Sequence, residues 1–242
     1  MDLGIAGRRA AVAAASGGLG FESARSLAAE GVRVAICGRD QARITAAAER
    51  IGDLATPLVC DVGTPEGAAR FVAGATEVLE GPPDILVTNA GGPPPGTFAS
   101  TDVDAYASAI DLNLMSVVAM CKAAVPAMQE QGWGRVVAIT SVSVRQPIGQ
   151  LILSNTARAG ATGFLKTLAR EVAADGVTVN SAQPGLHLTG RVQQIYGDDL
   201  PDRPMGDPAD FGQVVAFLCS EQARFVTGVG LHVDGGDYAA LL

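Results

Sequence analysis

Seven short apolar runs alternate with longer stretches of helical period, and this alternation limits the fold more than any other feature of the chain. The runs predict strands at Arg9–Ala14, Val32–Cys37, Leu54–Cys60, Asp84–Thr88, Arg135–Thr140, Val177–Ser181 and Gly230–Val233. Helices are predicted between them at Gly18–Glu30, Gln41–Ile51, Pro65–Glu80, Val103–Glu130, Asn155–Ala174 and Pro208–Ser220. Runs such as Ile85-Leu86-Val87 and Val136-Val137-Ala138-Ile139 show no in/out alternation, as expected where helices cover both faces of a sheet. The expected fold is therefore α/β: a doubly wound, parallel, seven-stranded sheet in one domain over 1–242.

Composition supports a large core and excludes several partners. Apolar residues make up 48% of the 242 and charged residues 17%, below the usual figure of about 25%. A net charge of −8 without a basic cluster argues against nucleic acid. No uninterrupted apolar run approaches the eighteen or so residues that span a bilayer, and the start has no signal-peptide pattern, so no membrane partner and a cytoplasmic location are expected. Cys37, Cys60, Cys121 and Cys219 lie far apart and are expected to be reduced; no metal site is expected. The acidic group Asp198, Asp199 and Asp202 lacks accompanying His or Cys and reads as a solvated loop.

Three segments break the rhythm: Ala90–Ser100 with Pro93-Pro94-Pro95, Ser141–Leu153, and Gln183–Asp207. Each follows a predicted strand, and ligands of open parallel sheets bind beyond the strands' carboxyl ends. The last, near 183–207, is expected to be a substrate loop or lid. After the first strand, Ala14-Ala15-Ser16-Gly17-Gly18-Leu19-Gly20 opens a helix whose free N–H groups suit a pyrophosphate; a tight turn without ligand is the alternative. The second strand ends on Gly38-Arg39-Asp40. A guanidinium there suits a 2′-phosphate, which selects NADP(H) over NAD, unless Arg39 simply pairs with Asp40 in solvent.

With the glycine turn, Arg39, Cys60-Asp61-Val62, Thr88-Asn89-Ala90-Gly91, Asn113, Pro184-Gly185 and Asp234-Gly235-Gly236 in order, the chain resembles the short-chain dehydrogenase/reductase family, most of all its 3-oxoacyl-carrier-protein reductase branch. The resemblance implies that Asp61 and Val62 meet the adenine, that Asn89, Ala90 and Gly91 line the cofactor, and that Pro184, Gly185 and Thr189 hold the nicotinamide end. It further implies that Ser141 bonds the substrate carbonyl and that Asn113 anchors a water in a proton relay. A homotetramer or homodimer built on the helices near 103–130 and 155–174 follows from the same likeness and from apolar stripes that look wide for one sheet face.

Two departures stand out. The family's Thr-Gly opening is Ala13-Ala14 here, and its Tyr-x-x-x-Lys pair is Ser154-Asn155-Thr156-Ala157-Arg158. Spacing i, i+4 keeps Ser154 and Arg158 on one helical face, but an alcohol is much less acidic than a phenol and a guanidinium does not readily give up a proton. His187, just past Pro184-Gly185, is the candidate replacement acid, with Tyr106 and Tyr196 behind it. Arg145 and Gln146 are candidates to meet substrate, Pro93–Pro95 to form an apolar wall, and His232 to be structural. The expectation is an NADP(H)-dependent reductase of a small or acyl-carried carbonyl compound. A non-redox isomerase, lyase or cyclase, or a catalytically silent protein that binds NADP weakly or not at all, are the alternatives.

Overall fold

The computed structural model describes residues 2–197, 199–202 and 204–241; Asp198 of the acidic group lies outside them. Strands β1 (Arg9–Val12), β2 (Arg33–Gly38), β3 (Ala55–Val59), β4 (Ile85–Thr88), β5 (Gly134–Ile139), β6 (Val177–Pro184) and β7 (Gly230–Val233) form one parallel sheet in the order β3-β2-β1-β4-β5-β6-β7. Val12 of β1 aligns with Ile36 on one side and Val87 on the other. The chain winds outward from β1 to β3 and resumes at β4 on β1's other side, so the crevice beyond β1 and β4 is the topological switch point.

Successive strand residues point to opposite faces, and both faces are buried. Ala10, Val12, Ile85, Val87, Val137 and Ile139 join a core with Phe21, Leu27, Ile44, Phe211 and Val215, from helices α1 (Gly18–Ala29), α2 (Gln41–Ile51) and α8 (Pro208–Leu218). Ala11, Leu86, Val136 and Ala138 join the other core with Phe71, Val72, Met120, Met128 and Leu165. These last come from α3 (Pro65–Val78), α5 (Ser116–Gln131) and α6 (Ile152–Val172), while α4 (Ala105–Ile110) precedes α5.

The long helix expected over 103–130 is divided. Between α4 and α5, Asp111–Met115 form a π-helical turn with Asn113 at its centre, a feature that hydrophobic periodicity does not report and that recurs at functional sites. By length and mean hydropathy, 1.4 over its best window, the stretch Ala105–Gln131 could cross a bilayer, although charged and polar residues interrupt it. Met120, Cys121, Ala124, Val125 and Met128 bury against the sheet, which accounts for its apolarity. The wide apolar stripe expected on α6 is not seen: its outward residues are small or polar, among them Thr156, Ala159, Gly160, Gly163 and Thr167.

At the amino edge of the sheet, buried Asp84 accepts from the Arg9 backbone N–H at 2.9 Å and from its guanidinium at 3.1 and 3.3 Å. That edge is fastened by charge, leaving the carboxyl edge to bind.

Candidate functional site

A cleft of about 870 Å³ runs along the carboxyl edge of the sheet, lined by the ends of β1 to β6 and by α7 (Gly190–Tyr196). At one end stands the glycine-rich turn. Asp40, Thr64 and Asp207 cap α2, α3 and α8 with side-chain oxygens, but α1 begins on Gly17 without any side-chain cap. Its first N–H groups are therefore left for an anion, with the positive end of the helix dipole behind them. Gly18 takes φ +58°, a left-handed conformation that favours glycine, and faces Thr189. A Cβ on Gly20 would stand 2.7 Å from both the Ala14 carbonyl oxygen and the Asn89 amide nitrogen, so only glycine lets α1 approach.

Asn89 explains that closeness. Its Nδ2 donates to Ala14 O at 3.2 Å, tying the turn after β1 to the end of β4. Ala14 adopts φ +48°, the left-handed region that costs a residue with a Cβ roughly 1–2 kcal/mol. Its methyl group packs on the core beneath α3 and α5, so the departure from glycine narrows the turn without closing the cleft. This also ends β1 at Val12, two residues before the apolar run does.

At the tip of β2, Gly38 lies against Ser16, and exposed Arg39 and Arg43 line the cleft. Asp40 is engaged by α2, accepting from the Arg43 N–H at 2.9 Å, and among the described residues Arg39 forms no ion pair. The pairing with Asp40 left open by the sequence does not form. Asp61 accepts from Gly63 N at 2.9 Å and, with Val62, forms the neighbouring wall.

The inner end gathers Ala90, Gly91, Ser141, Ser154, Arg158, Pro184, Gly185, His187 and Thr189. Arg158 is only 9% exposed; its Nη1 donates to Ile139 O at 3.0 Å and Thr140 O at 3.1 Å, and its Nε donates to Ser154 Oγ at 3.2 Å. Burial, helped by the nearby charge of Arg191, lowers the Arg158 guanidinium to about 10. Ser141 Oγ accepts from Ser143 N at 3.1 Å. Both serine oxygens thus receive a hydrogen bond and keep their own protons to donate. Asn113 lies behind the cleft, not on its wall: its Nδ2 donates to Gly91 O at 3.0 Å, while its buried Oδ1 has no partner.

His187 is 4% exposed, edge-on to Phe211 with ring centroids 5.3 Å apart, and its Nδ1 sits 3.3 Å from Gly185 O. Burial lowers its pKa, so the ring is neutral at pH 7 and is no ready cationic acid. Gly206 must lack a side chain because a Cβ there would stand 2.7 Å from the imidazole.

Between 183 and 207 the described residues hold more regular structure than the Gly, Pro and Asp content suggests: β6 extends to Pro184, α7 follows, and His187 bridges to Gly206. The proline run does not wall the cleft. Instead Pro93 O accepts from Arg191 Nη2 at 2.8 Å, and Gly96 pairs with Leu151. Gln146 and Tyr196 reach the cleft, whereas Arg145 and Tyr106 do not; the His232 and Tyr238 rings meet at a tilt of 58°, with centroids 4.4 Å apart. Arg43, Gly92, Arg191 and Tyr238 line it unforeseen, for each is an isolated residue outside any motif. Among the described residues no cluster of His, Cys, Asp or Glu could hold a metal. Burial pushes the Cys37, Cys121 and Cys219 thiols up to about 12, far from the reactive range.

A parallel sheet with an uncapped, glycine-rich first helix and a deep crevice at its switch point defines an open α/β protein of the nucleotide-binding class. This chain belongs to the short-chain dehydrogenase/reductase family. The family model described as enoyl-(acyl carrier protein) reductase matches residues 13–237. Human dehydrogenase/reductase SDR family member 4 is 34% identical over 245 residues, covering 96% of this chain and 88% of that one. The 3-oxoacyl-[acyl-carrier-protein] reductase of Vibrio cholerae is 31% identical, over 98% of this chain and 99% of its own. The structure of L-sorbose reductase from Gluconobacter frateurii, complexed with NADPH and L-sorbose, superposes over the full length of both chains with a TM-score of 0.89 and 30% identity.

Proposed function

We propose that this protein is an NADP(H)-dependent reductase of a carbonyl compound in which the Ser154 hydroxyl and the buried Arg158 guanidinium stand in for the family's phenol and amine beside Ser141. The observation that carries this reading is the Arg158 to Ser154 hydrogen bond at 3.2 Å, with the same guanidinium anchored on Ile139 O and Thr140 O. It occupies one lone pair of Ser154 Oγ and leaves its O–H, which has no other acceptor among the described residues, to donate to a substrate in the cleft.

The residues present fit the cofactor. The uncapped start of α1 suits its pyrophosphate, the close approach at Gly20 makes the necessary room, and Arg39 with Arg43 suits a 2′-phosphate. NADPH was bound to the sorbose reductase named above, which supports the same choice here. When bound, the cofactor supplies the hydride.

Ser141 and Ser154 then donate hydrogen bonds to the carbonyl oxygen and stabilise the charge that develops on it. Ser154 passes its proton to that oxygen, and the positive charge of Arg158 at Nε stabilises the serine oxygen left behind. Asn113 Oδ1, buried and unpartnered, is suited to hold a water that returns the proton. His187, neutral and packed on Phe211, positions the Pro184-Gly185 turn.

The test is NADPH oxidation followed at its absorbance band with a panel of ketones. Wild type is expected to turn over at least one, with Ser154→Ala lowering kcat by about 10²-fold, the usual contribution of a positioned proton donor. Product formed without NADPH loss would favour the non-redox alternative, and tight NADPH binding without turnover would favour the silent one. Either result refutes the proposal.

A further inference from the structure

The charge balance at the inner end of the cleft is unusual. Arg158 reaches it from α6 and Arg191 from α7, and both line the same space. Among the described residues neither guanidinium forms an ion pair. Burial lowers the pKa of each, and their mutual repulsion lowers Arg158 further. Two like charges, one buried and one half-buried, that form no ion pair among the described residues are costly, and such an arrangement persists where a ligand completes it.

Both side chains are also held in place. Arg158 spends Nη1 and Nε on Ile139 O, Thr140 O and Ser154 Oγ, which leaves Nη2 without a hydrogen bond. Arg191 spends Nη2 on Pro93 O and leaves Nη1 and Nε without one. Its guanidinium lies flat over Gly92, where an added Cβ would come within 2.5 Å of Nη2 and 2.6 Å of Cζ. The loop after β4 thus yields its side chain so that this cation can sit against the backbone. The phosphates of a dinucleotide have their own partners in the start of α1, which approaches Thr189, and in Arg39 with Arg43.

We infer that Arg191, together with Nη2 of Arg158, forms a subsite for the carboxylate of an anionic substrate, so that the preferred compound is an oxo acid and not a neutral ketone. A carboxylate matches the planar donor fork of a guanidinium, and charge-assisted bonds of this kind carry specificity through the analogue that lacks the charge. The inference rests on the reductase reading for its turnover assay, but not for its binding assay.

Acetoacetate and pyruvate are compared with their methyl esters, by NADPH oxidation and by the shift in melting temperature of the protein with NADPH present. Expected is a kcat/KM at least about 30-fold higher for an acid than for its ester, lost on Arg191→Gln and partly kept in Arg191→Lys, whose ammonium retains the charge without the planar fork, as the span of charged hydrogen bonds implies. NADPH affinity, read by fluorescence, is expected to change less than about 3-fold in both variants. An ester used as well as its acid, or an Arg191→Gln loss that falls on NADPH binding instead, overturns the inference and leaves the reductase reading intact. If no ketone oxidises NADPH, the reductase reading falls. The melting shift then decides alone: a shift by acid and not ester, abolished in Arg191→Gln, supports the subsite, and no shift by either acid overturns it.

Discussion

Replacing Arg39 with alanine tests the cofactor assignment at its most exposed point. The guanidinium lines the cleft beyond β2, forms no ion pair among the described residues, and is not drawn off by Asp40, whose carboxylate accepts from the Arg43 N–H at 2.9 Å. A buried charge-assisted bond to a phosphate is worth about 1.5–3 kcal/mol. Arg39 and Arg43 are both exposed, and screening by water and salt reduces each to about 1–1.5 kcal/mol, or about 5- to 10-fold in Kd. Arg39→Ala is thus expected to weaken NADPH by about 5- to 10-fold, and with Arg43→Ala added by about 30- to 100-fold, while NADH changes less than about 2-fold. Titration of cofactor fluorescence at low and high salt reads both, and the NADPH preference should shrink as ionic strength rises. Wild-type protein that binds NADH more tightly, or an Arg39→Ala loss shared equally by the two cofactors, would refute the reasoning.

Two further expectations concern stability. Burial depresses the pKa of His187 below its ordinary 6.5, so in the window between the folded value and 6.5 the unfolded chain binds the proton more readily. Stability from this residue is complete above about pH 6.5 and declines as pH falls through that window; thermal melts from neutral to mildly acid pH should show a decline that His187→Gln diminishes, and identical slopes would exclude it. At the other edge of the sheet, Asp84→Ala leaves the Arg9 guanidinium without its partner and is expected to cost about 3 kcal/mol, or about 6–12 °C in Tm for a chain of this size. Arg25→Ala, which removes the more exposed i, i+3 pair with Glu22, should cost less than about 1 kcal/mol, and equal losses in the two variants would contradict the account.

What could be read from the sequence follows a physical divide. Strands buried on both faces declare themselves as apolar runs, so the sheet and the two helical layers were legible in outline. The end of β6, Ala182-Gln183-Pro184, was not, because the strand there continues through buried polar residues bonded to protein neighbours instead of to water. Asn180 Nδ2 donates to Val226 O, its Oδ1 accepts from Val229 N, and Gln183 Nε2 donates to Ser181 Oγ. Composition sees polarity there and ends the strand too early. The π-helical turn around Asn113 escaped for a related reason: it alters hydrogen bonding without altering the apolar pattern. In the site, the motif residues were expected from the resemblance to the family, and most of them line the cleft, with Asn113 behind it. Arg191 was not expected, since its meaning comes from lying over Gly92, a residue 99 positions distant that shares no pattern with it.

That stacking has a consequence for how the sequence can drift. With Arg191 where it stands, a Cβ at position 92 would come within 2.5 Å of Nη2, so a side chain there requires the guanidinium to swing away from the Pro93 carbonyl oxygen. Growth at position 92 would therefore leave the fold intact and cost the cation its seat against the backbone, so the two positions are tied through the site and not through the core.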